Sequence, residues 1–412
     1  MFKNYFKIAI AVLKRRKFFT FISLFGISFT LTILMVATAF IDKTVSPDYP
    51  DYKRDRSLYI SMMELTNSEK GWLNRNALSF YFLDHYVSTL KKPVQVAISS
   101  GAQMINTYIN NKKIEIRVKY TNAAYWDVLE YQFLEGKSYS KQQIDQAERV
   151  AVISEATKKA YFGDVPTVVG KYMEADNVNY RVIGVVKNVS DLLTNFAGDL
   201  YLPYTVSKVN YKEVTLGGEY NAVLLARTKE DVPAMLKEYN LMLAKVPSTD
   251  KEMDVVRCPA DTYLENLTRE MFGSGNNSGL TKVVTYLSLL IFLFLLLPTI
   301  NLVNINITRI MERSSEIGVR KAFGASSKTL VYQFLVENLI LTMIGGVIGV
   351  FISSIIIQAI NHADLISNMK LSMNFVVLGY GLLACVFFGL LSGVYPAWRM
   401  SKLNVVTALK AN

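Results

Sequence analysis

The sequence predicts a membrane protein in which four transmembrane α-helices carry one large α+β extracytoplasmic domain, inserted between the first and second helices. Two observations lead to this fold class. Of the 412 residues, 51% are hydrophobic and only 19% are charged, which is too apolar for an ordinary soluble protein. The apolar residues are gathered into four long runs, whereas residues 42–282 carry equal numbers of basic and acidic side chains. The net charge of +11 therefore belongs to the membrane part of the chain.

The first predicted span is Phe18–Ile41, an uncharged run that is long enough to cross a bilayer as a helix. A cleavable signal peptide is the alternative, because Ala37-Thr38-Ala39 resembles a cleavage site. The apolar region of a signal peptide is usually only about 7–15 residues long, and this run is longer. We therefore predict a retained membrane helix over residues 18–41.

Three further apolar runs predict spans at residues 283–307, 330–360 and 374–395. The second and third spans are joined by residues 308–329, which are rich in arginine and lysine. The third and fourth are joined by residues 361–373, in which Lys370 supplies the basic charge. The predicted spans are therefore joined by one long connection, residues 42–282, and then by two short ones.

The basic residues of the short segments predict the orientation of the chain. They are concentrated in residues 1–17, 308–329 and 396–412. Because basic loops stay in the cytoplasm, both termini and the 308–329 connector are predicted to be cytoplasmic, and residues 42–282 extracytoplasmic. Apolar and basic residues alternate at helical spacing in residues 1–17, which predicts an amphipathic helix on the inner membrane surface.

The spans themselves are nearly without charge. Glu337 is the one ionisable residue within the predicted spans. Proton relays and ion pathways need polar groups near the middle of the membrane, so the sequence argues against a secondary transporter. Gly345, Gly346 and Gly349 place small residues on one face of the third span, which favours close helix packing there.

The large domain is predicted to mix strands and helices. Alternating or β-branched runs predict strands at Lys113–Tyr120, Val150–Ile153 and Tyr180–Val186. Amphipathic patterns predict helices at Leu78–Leu90 and Val232–Leu243.

No catalytic, metal-binding or cofactor-binding site is predicted on this chain. Gly136-Lys137-Ser138 resembles the end of a phosphate-binding loop, but Tyr131 stands where that loop requires its first glycine. The two histidines, His85 and His362, form no metal-ligand pattern with the two cysteines. We therefore predict a non-catalytic protein.

The cytoplasmic segments are too short to fold alone, so any energy that the chain uses must come from a partner. Residues 308–329 suit either a docking helix or a solvated charged turn. Arg309, Arg313, Glu316 and Arg320 recur at helical spacing, and Glu316 precedes Arg320 in the favourable order. From helical spacing alone, both interpretations stay open.

Several segments together resemble one known family. They are Glu316–Ala325 (EIGVRKAFGA), Gln333–Gly349, Tyr395–Leu409, Ala151–Gly163, Tyr180–Val189 and Leu200–Tyr204. Taken in chain order, these segments resemble the MacB/FtsX-like ABC transporter permeases, across nearly the whole chain. Met400 and Val405 stand where the family usually has alanine and proline.

The resemblance implies a permease subunit that works as a dimer, with a second copy or a paralogue. It implies a cytoplasmic ABC ATPase as partner, which binds ATP and magnesium and is expected on a separate chain. It also implies that the 308–329 connector docks on that ATPase. The docking residues carried over are Glu316, Ile317, Gly318, Arg320, Lys321 and Gly324.

The resemblance further implies a bacterial inner-membrane protein with a MacB-like periplasmic core domain. That domain would comprise a porter-like part, at about residues 50–100 and 206–280, and an inserted β-rich part at about residues 101–205. The implied function is export of a drug, peptide or lipoprotein, with a periplasmic adaptor and an outer-membrane duct as further partners. The alternative is an FtsX-like regulator that transmits motion to a cell-wall hydrolase or a signalling partner.

Overall fold

The structure is a computed structural model that describes residues 10–11, 13–15, 17–109, 112–250, 252–312, 319, 323, 327–363, 368–376, 378–384, 386–387 and 390. The chain forms two compact units. A large unit comprises Thr44–Val284 with Ile366–Met369, and a helical unit comprises Met1–Lys43, Thr285–Leu365 and Lys370–Asn412.

The large unit is built on one mixed β-sheet, which has 14 strands within the described residues. The strands are β1 (Ser57–Ile60), β2 (Met63–Thr66), β3 (Leu73–Leu78), β4 (Gln95–Ser100), β5 (Gln103–Ile109), β6 (Lys112–Thr121), β7 (Phe133–Gly136), β8 (Val150–Ser154), β9 (Tyr172–Ala175), β10 (Val178–Val186), β11 (Leu200–Pro203), β12 (Gly217–Gly218), β13 (Tyr220–Leu225) and β14 (Val255–Arg257).

The strands follow the order β14-β2-β3-β13-β4-β6-β11-β8-β10-β7, with β1 paired to β13, β12 to β3, β5 to β6 and β9 to β10. The pairs β6–β11 and β8–β10 are parallel, whereas β1 and β13 are antiparallel with Tyr59 opposite Val223. The sheet path therefore passes through both the porter-like and the inserted regions named from the sequence.

The helices complete both units. They are α1 (Lys17–Val45), α2 (Phe80–His85), α3 (Ala124–Val128), α4 (Lys141–Asp145), α5 (Glu155–Phe162), α6 (Val232–Leu243), α7 (Tyr263–Phe272), α8 (Leu280–Glu312) and α9 (Ser327–Ala363).

Apolar side chains cover both faces of the sheet. Successive strand residues point to opposite faces, so Leu58 and Ile60 of β1 belong to one hydrophobic cluster and Tyr59 to another. Val152 and Ile153 of β8 divide between the same two clusters. A strand buried on both faces cannot shift by one residue without moving its side chains to the wrong cluster.

The predicted α+β character of the large unit is confirmed. The three predicted strands appear as β6, β8 and β10, and the helix predicted at Val232–Leu243 appears as α6. The helix predicted over Leu78–Leu90 is shorter, because Leu78 completes β3 and Ser79 caps α2 by accepting a hydrogen bond from the Phe82 amide (2.9 Å). A separate 3-10 turn follows at Val87–Thr89.

Two helices in the described residues are long and apolar enough to cross a membrane, Lys17–Val45 and Leu335–Ala363. They contain most of the first and third predicted spans. The apolar stretch Leu280–Phe294 of α8 is shorter than a full span, and residues 374–395 are described only in part. The second and fourth spans therefore stay predictions.

Candidate coupling site

A buried arginine holds the end of α1. Arg54 lies in a short 3-10 turn just before β1, and its side chain is 4% exposed. Its Nη1 donates to the carbonyl oxygens of Thr44 (3.0 Å), Val45 (3.1 Å) and Ser46 (2.9 Å), and its Nε donates to Asp51 Oδ2 (3.0 Å). Because the last carbonyls of a helix have no partner within it, Arg54 completes the hydrogen bonding at this end of α1.

Two tyrosines enclose the Arg54–Asp51 pair. The Tyr59 hydroxyl donates to Asp51 Oδ2 (2.7 Å), and the Tyr263 ring lies 3.5 Å from the Arg54 guanidinium carbon. Burial raises the pKa of Asp51, while the Arg54 charge and the Tyr59 hydrogen bond act in the opposite direction. Removing one member of such a pair would leave the other charge buried and uncompensated.

A second buried arginine holds the chain that enters α8. Arg269 of α7 is 5% exposed and forms a two-point pair with Asp261, in which Nη2 lies 2.8 Å from Oδ1 and Nε contacts Oδ2. Its Nη1 donates to the carbonyl oxygens of Gly275 (3.0 Å) and Asn277 (3.3 Å). The neighbouring Thr268 hydroxyl donates to the Ser278 carbonyl (3.0 Å), so α7 fastens the loop that precedes α8.

The two arginine pairs meet at the middle of β1. The Tyr59 amide donates to the Asp261 carbonyl (2.8 Å), and the Asp261 amide donates back to the Tyr59 carbonyl (2.9 Å). Tyr59 and Tyr263 also make an edge-on ring contact at 5.6 Å. We call this set the arginine joint; its members are Asp51, Arg54, Tyr59, Asp261, Tyr263 and Arg269.

The arginine joint lies within the large unit, at the end of α1 and at the loop before α8. One pair binds the last residues of α1, and the other binds the loop before α8. Both are attached to β1, which pairs with β13 in the sheet. Buried, hydrogen-bonded pairs of this kind hold the end of α1 and the loop before α8 rigidly on β1.

A cleft of about 580 Å³ opens beside the Arg269–Asp261 pair. Helix α6 supplies Leu236 and Asn240 to its wall, and α7 supplies Glu265. This volume lies within the range of small-molecule sites in proteins.

The three glycines predicted to pack helices lie on α9. A Cβ atom at Gly345 would stand 2.8 Å from Cγ2 of Ile27 on α1, and one at Gly349 would stand 2.9 Å from the Ser28 carbonyl oxygen. At Gly346 the nearest atom would be Cδ2 of Leu382, at 3.1 Å.

A hydrogen bond crosses the same contact between α1 and α9. The Thr32 hydroxyl donates to the Gly349 carbonyl (3.2 Å) as well as to the Ser28 carbonyl of its own helix (2.7 Å). Only small residues allow the two backbones to approach this closely. Glu337 also lies on α9 and is 2% exposed, next to the buried Asn338.

The predicted docking residues lie outside the described residues; they are Glu316, Ile317, Gly318, Arg320, Lys321 and Gly324. The structure does show that both flanking helices extend into the predicted connector, since α8 ends at Glu312 and α9 begins at Ser327. Docking at these residues stays a prediction.

The arginine joint was not anticipated from the sequence. Its one local signal is the spacing of Asp51 and Arg54, three residues apart, which is common on protein surfaces. Nothing in the order of residues places Asp261 beside Tyr59, because that pairing depends on the folded sheet.

Known proteins resemble the chain over most of its length. It is 23% identical over 334 residues to the uncharacterized ABC transporter permease YknZ of Bacillus subtilis, covering 80% of this chain and 79% of YknZ. It is 27% identical over 278 residues to the macrolide export ATP-binding/permease protein MacB of Campylobacter jejuni, covering 66% of this chain and 41% of that protein. The chain thus spans less than half of that longer relative.

Two solved structures resemble part of the chain. The extracellular domain of a YknZ transporter from Gram-positive bacteria matches 45% of this chain and 93% of that domain, at 16% identity and a TM-score of 0.35. The periplasmic region of MacB from Actinobacillus actinomycetemcomitans matches 45% of this chain and 84% of that region, at 17% identity and a TM-score of 0.35. At these scores the structural likeness decides nothing by itself.

Two family descriptions cover most of the sequence. The MacB-like periplasmic core domain matches residues 20–239, and the FtsX-like permease C-terminal region matches residues 288–405. The first match alone covers more than half of the chain, and the two follow each other in the order that the sequence motifs predicted. The chain therefore belongs to the MacB/FtsX-like family of ABC transporter permeases.

Proposed function

We propose that this chain is the permease subunit of an ABC transporter in which a separate cytoplasmic ATPase supplies the energy. ATP binding and hydrolysis by that partner change the conformation of the permease, and the large unit carries the change to a substrate outside the cytoplasm. The substrate class is a drug, a peptide or a lipoprotein. The working assembly is a dimer of permeases with two ATPase subunits.

The arginine joint is the observation that carries this proposal. A permease that moves an external domain must connect its membrane helices firmly to that domain. Arg54 and Arg269 fasten the end of α1 and the loop before α8 to the same strand, with side chains that are 4% and 5% exposed. Displacement of either helix end therefore acts on β1 and on the sheet.

The name of one relative supports a separate ATPase. YknZ, which the chain matches over 79% of its length, is named a permease alone. The MacB relatives, of which the chain covers less than half, are named ATP-binding/permease proteins. We place the nucleotide and its magnesium on that partner.

We place the ATPase contact on the 308–329 connector, facing the cytoplasm, with both chain termini on the same side. Within it, Glu316 and Arg320 have the spacing of a helical ion pair, and Ile317 adds an apolar contact. Lys321 extends the basic surface, while Gly318 and Gly324 shape the turn. A periplasmic adaptor and an outer-membrane duct are further partners of the large unit.

The test is purification of the tagged permease in mild detergent from a bacterium that carries its genetic neighbourhood. The wild-type chain should retain an ATPase whose hydrolysis depends on the permease. Arg320→Glu should lose the ATPase or uncouple its activity, because it reverses a charge at the docking surface. Lys113→Glu is the matched control, since Lys113 is an exposed residue of the large unit, with its side chain 49% exposed.

Two results would count against the proposal. One is a wild-type permease that never retains a nucleotide-hydrolysing protein. The other is an Arg320→Glu variant with unchanged binding and coupling, while insertion and folding are normal.

A further inference from the structure

We propose that α7 is an interfacial helix, and that its exposed apolar strip rests in the outer lipid surface next to α8. The strip consists of the half-buried Leu264 and the exposed Leu267 and Met271, spaced at i, i+3 and i+7 along one side of the helix. The proposal requires membrane insertion only, and it is independent of the ATPase partner.

The two sides of α7 are inverted relative to an ordinary surface helix. The side that packs on the large unit is polar, with Asn266, Thr268 and Arg269 between 5% and 7% exposed. The outward side is apolar, with Leu267 43% exposed and Met271 78% exposed. A surface helix in water normally has the reverse arrangement, so the outward side of α7 is suited to an apolar environment.

The polar side is occupied by contacts that hold the helix in this orientation. Arg269 is committed to Asp261 and to two loop carbonyls, and the Asn266 side-chain amide donates to the Ser61 hydroxyl. Thr262 and Glu265 form a capping box at the first turn. Rotating α7 to bury its leucines would break all of these contacts, so the apolar strip must stay outward.

The two ends of α7 lie against the chain that leaves and enters the membrane helices. At its start, the Tyr263 ring stacks on Arg54, which binds the last carbonyls of α1. At its end, Phe272 packs against Gly279, the residue before α8. Gly279 has φ +77°, and a Cβ atom there would stand 2.6 Å from Cβ of Phe272, so this contact requires glycine.

Lipid is the occupant that this position favours. The apolar stretch of α8 begins at Leu280, directly after the Gly279 contact, and an exposed lysine, Lys282, stands two residues further on. Helices that lie in the membrane surface carry leucine, methionine or phenylalanine on the buried side and polar residues on the other. A helix of 10 residues is about 15 Å long, so it can lie flat in a membrane surface without crossing the bilayer.

The test places a fluorescent probe on each side of α7 in the full-length protein. Met271→Cys and Leu267→Cys carry a bimane label on the apolar strip, and Glu270→Cys carries it on the neighbouring exposed side. Cys385→Ser removes one native thiol. Cys258 can stay, because it is fully buried and burial raises the pKa of its thiol to about 12.

In nanodiscs, the probes at Met271 and Leu267 should emit at shorter wavelength than the probe at Glu270. Brominated lipids should then quench the first two probes and leave the Glu270 probe nearly unchanged. Equal emission and equal quenching at all three positions would overturn the proposal. So would excimer or self-quenching signals at Met271 without lipid quenching, since these would mean that a second copy of the chain covers the strip.

Discussion

Each unit brings its own elements into close contact, and the two units do so by opposite chemical means. In the helical unit, α1 and α9 meet through Gly345 and Gly349, and the crossing hydrogen bond comes from a small hydroxyl residue, Thr32. In the large unit, the arginine joint makes its contacts with long charged side chains that are almost fully buried. Each solution follows from the surroundings in which the contact forms.

Lipid offers no hydrophobic driving force between two apolar helices, so packing depends on how closely the backbones approach. Glycine has no side chain, so Gly345 and Gly349 allow that approach without placing any charge in the membrane. The large unit folds in water, where burying a charge is tolerable once a carboxylate and several carbonyls surround it. The comparison predicts that the two regions respond differently to substitution.

The largest expected effect is at the arginine joint. Arg269→Leu leaves Asp261 buried without its cation and releases the Gly275 and Asn277 carbonyls, so the free energy of unfolding of the large unit should fall by about 3–5 kcal/mol. Thermal unfolding of the detergent-solubilised protein, followed by tryptophan fluorescence, measures the change.

Arg181→Ala is the control for this prediction. The Arg181 side chain is 43% exposed, and its Nη2 lies 3.5 Å from Glu148 Oε2. Its loss should therefore lower the free energy of unfolding by less than about 1 kcal/mol. Equal destabilisation by the two substitutions would show that burial of the joint does not matter.

A smaller effect of opposite sign, a gain in stability, is expected from substituting Lys119. The side chain of this residue is fully buried, and its amine has a backbone carbonyl as its partner. Its Nζ donates to the Asn195 carbonyl (2.8 Å), and burial, aided by the Arg117 charge, lowers the pKa of Lys119 to about 7. Lys119→Met removes the cost of burying this amine and should stabilise the large unit at pH 7 by an amount on the order of 3 kcal/mol.

The pH dependence gives the sign of the Lys119 effect independently. Between about pH 7 and pH 10 the unfolded chain still holds the Lys119 proton and the folded chain does not, so wild-type stability should rise with pH in this window. Below pH 7 both forms hold the proton, and this contribution becomes constant. The difference in unfolding free energy between wild type and Lys119→Met should therefore shrink as the pH rises. A difference that stays constant with pH would contradict the lowered pKa of Lys119.

The smallest expected effect is at the helix contact. Gly349→Ala puts a methyl group 2.9 Å from the Ser28 carbonyl oxygen, so α1 and α9 must move apart, at a cost of about 1–3 kcal/mol. Gly26→Ala is the matched control on α1, because no atom lies within 4 Å of the added methyl group. Unfolding in mixed SDS micelles measures both variants, and an equal response would mean that close approach at Gly349 is unimportant.

The sequence alone determined the general organisation of this protein. Apolar run length and charge segregation predicted a membrane protein with one large domain, and period-two patterns placed β6, β8 and β10 within a residue or two at each end. Local segments such as Glu316–Ala325 carried the family resemblance. These features are readable because each depends on residues that are neighbours along the chain.

The arginine joint and the inverted side of α7 were decided only by the tertiary structure. Asp261 meets Tyr59 across some 200 residues of chain, and no periodicity records such a pairing. A helix on the surface of a soluble domain normally turns its leucines toward the core, whereas in α7 Arg269, Asn266 and Thr268 take that side because their hydrogen-bond partners lie there. Buried polar groups must be satisfied wherever the fold brings donors and acceptors together, and that requirement is met in three dimensions rather than along the sequence.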